Sequence, residues 1–267
     1  MSREFRKSGA CTKPMLQSIE QAVNALTAAR QAVALTGAGI SVESGIPPFR
    51  GKGGLWEKID PMKYAHIDAF KRNPEEVWRV LFMEMSAVLG KARPNDAHRG
   101  LSLLEQRGHL KTVITQNIDG LHQQAGSSDV IEFHGTFALQ RCMKCSRTQD
   151  SRLLRLDEIP PRCDCGGILR PDVVMFGELI DMGNLQRAQT LSSGCDVMLV
   201  IGTSATVEPA AYLPIIAKRS GALIIEINPE PTPLSEHISD LVLLGQAADV
   251  MRRIAVAMNL PIDAGQP

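Results

Sequence analysis

The stretch Ala32–Gly51 reads AVALTGAGISVESGIPPFRG. Its first five residues, Ala32–Thr36, form a continuous apolar run, the pattern of a strand buried on both faces of a parallel sheet. Gly37 and Gly39 follow at once. They let the backbone approach a pyrophosphate, whose oxygens the loop amides can bond. The next glycine comes late, at Gly45, so the stretch departs from the common dinucleotide fingerprint. Gly-x-Gly alone fits a tight strand-to-helix turn that binds nothing equally well. The length of the segment adds a further use, because a loop this long can fold over a ligand. Phe49 and Arg50 at its far end supply an apolar cover and a cation.

Similar apolar runs recur along the chain: Thr112–Gln116, Val130–Phe133, Val197–Gly202, Ala222–Asn228 and Leu241–Leu244. Helical patterns lie between them. Residues 15–30 place Leu16, Ile19, Val23 and Leu26 on one stripe. Residues 95–107 carry Leu101 and Leu104 and stop at Gly108, and residues 247–258 carry Val250, Ile254 and Met258. Strands alternating with helices predict an α/β fold with a doubly wound, Rossmann-like parallel sheet. Two segments break the rhythm. Residues 51–91 are helical and Met-rich, and residues 137–172 hold four clustered cysteines; together they read as a small inserted domain. The main domain is then 14–50, 92–136 and 173–258, with tails at 1–13 and 259–267.

The chain has 267 residues, 44% hydrophobic and 22% charged, which suits one globular domain with an insert. Twenty-nine basic side chains balance 29 acidic ones. That neutrality and an aromatic content of 4% argue against direct nucleic-acid binding. The longest stretch free of Asp, Glu, Lys and Arg runs only from Gln31 to Val42, too short for a membrane span. The N-terminal MSREFRKSGACTK has no apolar core behind its charges, so the expected location is cytoplasmic.

Four further patterns carry chemistry. TQNIDGLH, Thr115–His122, follows a strand, where ligands bind in open parallel sheets. Its Gln116, Asn117 and Asp119 read either as a helix cap, by Asn117 or Asp119, or as a pocket for an amide or ribose. His134 in EFHGTF sits at a strand end, a place for a general base that titrates near neutral pH. Cys142, Cys145, Cys163 and Cys165 form C-x2-C and C-x-C pairs 17 residues apart. Four thiolates and no nearby histidine predict a closed, structural zinc site, with an iron rubredoxin-type centre as the competing reading and Gly166 and Gly167 giving the second pair its tight turn. The shorter pieces GTS (Gly202–Ser204), EIN (Glu226–Asn228) and RPDVVMFGE (Arg170–Glu178) would each pass singly as loops. Cys11 and Cys195 read as free thiols, and His66, His98, His109 and His237 as surface residues.

Taken in order, GAGIS…SGIP-x-FRG, TQNID-x-LH, HG, the cysteine pairs, RP-x-VV-x-FGE, GTS and IN resemble the prokaryotic-type sirtuins, the NAD-dependent protein deacylases of the Sir2 family. The resemblance covers roughly residues 14–258. It implies NAD as co-substrate, one structural Zn2+ and acyl-lysine proteins as partners. It also implies that Gly37, Ala38, Gly39, Phe49 and Arg50 line the dinucleotide loop, and that Gln116, Asn117 and Asp119 hold nicotinamide and its ribose. Gly202, Thr203, Ser204 and Asn228 would contact phosphate and the adenosine ribose, with Ala247 near the adenine. Val173, Phe176, Gly177 and Glu178 would border the acyl-lysine channel. In the implied mechanism the substrate amide oxygen attacks C1′ of the nicotinamide ribose and nicotinamide leaves. His134 then accepts a ribose hydroxyl proton, and the products are free lysine and O-acyl-ADP-ribose; Asn117 is the second residue expected in the catalytic centre.

The chain departs from the family's pattern at two places. Pro48 stands where sirtuins often have Asp, which implies altered loop stiffness. Leu81 and Glu84 align with the Tyr-x-x-Arg pair of members that prefer acidic acyl groups, so acetyl or longer neutral groups are expected. A protein ADP-ribosyltransferase, a non-catalytic NAD or ADP-ribose sensor and a zinc-ribbon nucleic-acid binder are the competing readings. Retention of both Asn117 and His134 weighs against the sensor.

Overall fold

The computed structural model describes residues 13–49 and 53–262. Nine strands are present among them: β1 Ala32–Thr36, β2 Thr112–Thr115, β3 Val130–Glu132, β4 Gly135–Cys142, β5 Thr148–Asp150, β6 Leu169–Val173, β7 Val197–Ile201, β8 Leu223–Asn228 and β9 Leu241–Leu244. Six of them form one sheet in the order β3-β2-β1-β7-β8-β9, parallel throughout. This is the doubly wound Rossmann order. The chain winds outward from β1 in one direction through β2 and β3, then returns to the other side of β1 at β7. The carboxyl ends of β1 and β7 therefore border the topological switch point, where ligands bind in such sheets.

Side-chain alternation divides each central strand between two cores. Ala32 and Ala34 of β1 face a layer made by the helices Lys13–Ala28, Asp96–Gln106 and Ala247–Ala257, packed through Leu26, Leu101 and Ile254. Val33 and Leu35 face the opposite layer, with the helices Met182–Gly194 and Tyr212–Arg219. All five residues of β1 and of β7 are buried, which accounts for their unbroken apolar runs. Sequence periodicity does not reveal Met182–Gly194, because only Ala188 and Ser192 of that helix are buried. Several predicted strand ends (Gln116, Phe133 and Gly202) belong to the loops that follow. Gly202 has φ +61°, which ends the extended run.

The insertions form a second assembly. β5, β4 and β6 make a small antiparallel sheet in that order. Residues 55–89 fold as short helices around Phe70, Trp78, Leu81 and Phe82, with Met175 closing the cluster. Trp78 joins this helical module to the small sheet by donating its indole N–H to the Leu169 carbonyl at 2.9 Å. Gly135, the first residue of β4, pairs with Val173, the last of β6. The small sheet therefore leaves the main body immediately beside His134.

One contact fixes the switch point. Gly39 N–H donates to the Gly202 carbonyl at 2.8 Å, and a Cβ on Gly39 would stand 2.6 Å from Gly202 Cα. Gly39→Ala is expected to lower unfolding free energy by about 2 kcal/mol, the range of backbone overpacking. Urea denaturation measures this; an unchanged midpoint would show that the two loops can separate freely.

Candidate active site

After β1 the chain coils into a 3-10 helix, Ala38–Ser44, in place of the open loop that the sequence suggested. Asn95, the N-cap of the helix Asp96–Gln106, holds it, its Nδ2 donating to the Ile40 carbonyl at 2.8 Å and to Ser44 Oγ at 3.0 Å. Glu43 Oε2 accepts the Ala248 amide at 2.8 Å, which ties the same turn to the helix Ala247–Ala257. The result is that Ser41 points toward β2. Ser41 Oγ donates to Asp119 Oδ2 at 2.7 Å and accepts from Asn117 Nδ2 at 3.1 Å. Asn117 Nδ2 also donates to the Gly37 carbonyl at 3.1 Å. Asn117 thus caps no helix; it braces two loops. Asp119 does both jobs, since its Oδ1 accepts the Leu121 amide at 3.0 Å. Burial pushes the Asp119 carboxyl up, against hydrogen bonds led by the Leu121 amide and Ser41.

Gln116 Nε2 reaches across the switch point to Thr203 Oγ1 at 3.0 Å. Asn228, buried at the end of β8, donates its Nδ2 to the Thr203 carbonyl at 3.2 Å. Ser204 is exposed beside them. His134 Nδ1 lies 3.0 Å from the Gln116 carbonyl. A carbonyl only accepts, so Nδ1 carries the proton and Nε2 keeps its lone pair free for a substrate. Burial lowers the His134 pKa, partly offset by the Gln116 bond, so the ring is neutral and basic at pH 7. Phe49 stacks on Trp56 at 5.4 Å, and Trp56 leans on Phe176 at 6.4 Å. The Pro48 and Phe49 carbonyls accept amides of the helix Leu55–Lys58 at 2.9 and 3.0 Å. Arg50, the expected cation of this loop, lies outside the described residues.

An apolar pocket opens under Phe49. Ser41, Asn117, Asp119 and Glu84 are its polar lining, and Ala38, Ile46, Leu55, Met85, Val88 and Ile118 its apolar one. Leu81 is in the core of the helical module instead of the pocket wall. One other expectation needs correction: His98 is fully buried. Glu178, expected at the acyl-lysine channel, is bonded to Arg170. Ala247, expected near the adenine, is the first residue of its helix and packs against the main core.

The four clustered cysteines converge. Their sulfurs all lie within 4.8 Å of one another, with Cys142 to Cys165 at 3.5 Å and Cys145 to Cys163 at 3.9 Å. A tetrahedron with Zn–S bonds of about 2.3 Å has edges of about 3.8 Å, so the thiols fit zinc. Burial opposes ionisation of Cys142, but the amides of Cys145 and Lys144 and the neighbouring thiols outweigh it, bringing its thiol down to about 6. Gly166 takes φ +78°, and a Cβ on Gly167 would stand 2.6 Å from Cys142 Sγ. The C-x-C turn is therefore built by these two glycines. Four thiolates close the coordination sphere, so the ion would hold structure and present no site for water.

Residues 37–209 match the Sir2 family. The chain belongs to that family. It is 46% identical over 248 residues to an NAD-dependent protein deacylase of Aeropyrum pernix, covering 92% of this chain and 100% of the relative. A solved Sir2 homologue–NAD complex has a TM-score of 0.83 at 43% identity, with 90% of this chain and 93% of that one covered. A Sir2 structure with deacetylated p53 peptide and 3′-O-acetyl ADP-ribose has a TM-score of 0.84 at 36% identity, covering 91% and 99%.

Sequence reasoning missed the layer beneath this Sir2 pocket. His98 Nδ1 accepts the Asn95 amide at 3.3 Å, which leaves its Nε2–H directed at Ser41 Oγ, 3.4 Å away. His122 Nε2 lies 2.9 Å from Thr36 Oγ1, and the two imidazoles meet edge to face at 4.9 Å. The only available signal was position, since Ser41 and His122 lie inside the two loop motifs. Burial lowers the His122 pKa from 6.5 to about 3. It also takes His98 well below its usual range, with the Coulombic influence of His122 adding to the shift. The unfolded chain therefore binds more protons below pH 6.5, and stability falls as pH drops from there toward 3. The slope is at most about 1.4 kcal/mol per pH unit for each imidazole. Urea midpoints at pH 7.5 and 5.5 should differ less in His122→Asn than in wild type; equal differences would mean that His122 does not titrate on unfolding.

Proposed function

We propose that the pocket at the carboxyl ends of β1, β2 and β7 is the catalytic centre, with His134 as its base. The chain is an NAD-dependent protein-lysine deacylase that yields nicotinamide, O-acyl-ADP-ribose and free lysine. The observation that carries this reading is the fixed tautomer of His134, whose Nδ1–H is held by the Gln116 carbonyl at 3.0 Å and whose Nε2 is therefore the basic nitrogen. Bound NAD supplies an electrophilic ribose carbon and the hydroxyls that take over the acyl group. The backbone of Gly37, Ala38 and Gly39 and the Gly202–Ser204 turn face its phosphates. Asn228 takes the adenosine ribose. Gln116, Asn117 and Asp119 hold the nicotinamide half, and Phe49 with Trp56 shields it from water. Val173, Phe176 and Gly177 border the acyl-lysine, whose peptide adds as a strand. In this reading the main domain, 14–50, 92–136 and 173–258, and the small one, 51–91 and 137–172, border the cleft that takes NAD.

A cytoplasmic setting belongs to the same proposal, because a reducing compartment keeps the four thiols available to metal. No helix among the described residues is long and apolar enough to cross a membrane. The zero net charge gives no electrostatic footprint for nucleic acid.

Purified protein given NAD and an acetyl-lysine peptide should form deacetylated peptide, nicotinamide and O-acetyl-ADP-ribose in equal amounts by mass spectrometry. His134→Ala should retain NAD binding and lose at least about 10²-fold in turnover, a typical general-base contribution. The acid limb of wild-type kcat/KM should fall below pH 6.5, because burial lowers the base's pKa. Undiminished turnover in His134→Ala would remove this residue from the mechanism.

Glu84, which lines the pocket, disfavours an anionic acyl group. Succinyl-lysine peptide should react at least about tenfold more slowly than acetyl-lysine peptide, the effect of one unfavourable charge contact. Equal rates would overturn that assignment.

A further inference from the structure

Arg170, on β6, is the most buried cation of the small assembly among the described residues, at 5% exposure. Its Nη2 donates to Glu178 Oε1 at 2.6 Å and its Nη1 to the Val173 carbonyl at 2.7 Å. Its Nε meets the sulfur of Met143, next to Cys142, at 3.2 Å. Its guanidinium carbon lies 6.0 Å from the centre of the Phe70 ring in the helical module. The partner carboxylate is used on both oxygens, since Glu178 Oε2 accepts the Met175 amide at 3.0 Å. The Glu178 amide returns a bond to the Met175 carbonyl at 3.0 Å. One ion pair thus closes the segment Val173–Glu178 on itself and fastens it to β6, the cysteine ribbon and the helices.

The rest of that segment is stitched at two other points. Val174 N–H donates to the His134 carbonyl at 2.9 Å, Phe176 N–H to the Ala65 carbonyl at 2.9 Å, and Ile67 N–H to the Phe176 carbonyl at 2.9 Å. Gly177, at φ +84°, lies so close to His66 that a Cβ would stand 2.7 Å from its ring. The segment therefore runs from the base to the helical module, and the Arg170–Glu178 pair sets its curvature between those anchors.

We infer that Arg170 and Glu178 are a positioning pair for acyl-lysine binding: the buried ion pair shapes the Val173–Glu178 segment, so affinity for the acylated peptide depends on it and affinity for the nucleotide does not. This rests on the proposed place of Val173, Phe176 and Gly177 at the acyl-lysine channel. A buried ion pair is weak evidence for stability, because desolvation offsets attraction; what it supplies here is a single arrangement of a loop. Arginine is required because one planar fork bonds a carboxylate and a carbonyl at once, which a lysine ammonium on a flexible stem does not reproduce.

The test compares wild type with Arg170→Lys, Glu178→Gln and the charge-free double variant Arg170→Met/Glu178→Gln. The two single variants should raise KM for an acetyl-lysine peptide at least about tenfold while NAD KM and ADP-ribose affinity stay within about twofold. Zinc should remain at one ion per chain. Amides of residues 174–178 should exchange faster with deuterium. The double variant should lose no more than the worse single one, because both changes break the same interaction. Unchanged peptide KM, a parallel rise in NAD KM, or additive losses would each overturn the inference. Absence of any wild-type turnover would count against the deacylase reading; the exchange measurement, which needs no turnover, then decides whether the pair holds the loop.

Discussion

The approach of Gly39 to Gly202 is the constraint from which the functional end of the molecule is built. β1 and β7 are neighbours, and their following loops leave the sheet at the same edge. Gly39 donates to Gly202 O at 2.8 Å, and a Cβ on Gly202 would lie 2.2 Å from the Ile40 amide nitrogen. The contact presses the turn after β1 against the turn after β7. Only then does the coil Ala38–Ser44 deliver Ser41 to Asn117 and Asp119, and only then does Thr203 come within reach of Gln116. A methyl group at either glycine would push these two loops apart.

Beneath that wall the hydrogen bonds have fixed directions. The Gln116 carbonyl selects the His134 tautomer, the Asn95 amide selects the His98 tautomer, and Ser41 passes its proton toward Asp119. In a site this dry, a misdirected donor would leave an uncompensated polar group, so each bond constrains the next. Two neutral buried imidazoles, His98 and His122, serve this end at the expense of acid stability. The sheet could have been closed with apolar side chains at both positions; the histidines supply orientation to Ser41 and Thr36.

The small assembly is linked to the chemistry by one strand. β4 begins at the residue after His134 and ends at Cys142, the first thiol of the metal cluster. A strand of that length spans about 25 Å. The four thiols therefore lie far from the base, and a metal held there would anchor the far end of the strand that follows it. Arg170 returns on the neighbouring strand and couples the ribbon to the segment between Val173 and Glu178. The metal, the helices and the base thereby share one mechanical frame.

The sequence by itself determined the elements that depend on local pattern. Continuous apolar runs gave β1 and β7, because strands buried on both faces have no polar side to show. Cysteine spacing gave the metal site, because two close pairs suffice to specify a tetrahedron. The loop motifs located Gln116, Asn117, Asp119 and His134, because the ends of parallel strands are where a doubly wound sheet binds. The tertiary structure decided what depends on meeting partners distant in the chain. His98 looked like a surface residue, since a lone histidine in a helix N-terminus carries no burial signal; it is buried because Ser41 and His122 close over it. The partner of Glu178 was equally hidden, since Arg170 stands eight positions earlier and meets its carboxylate only across a turn. Periodicity reports which side of an element is apolar, whereas the partner of a polar group is set by strands and loops that only the folded chain brings together.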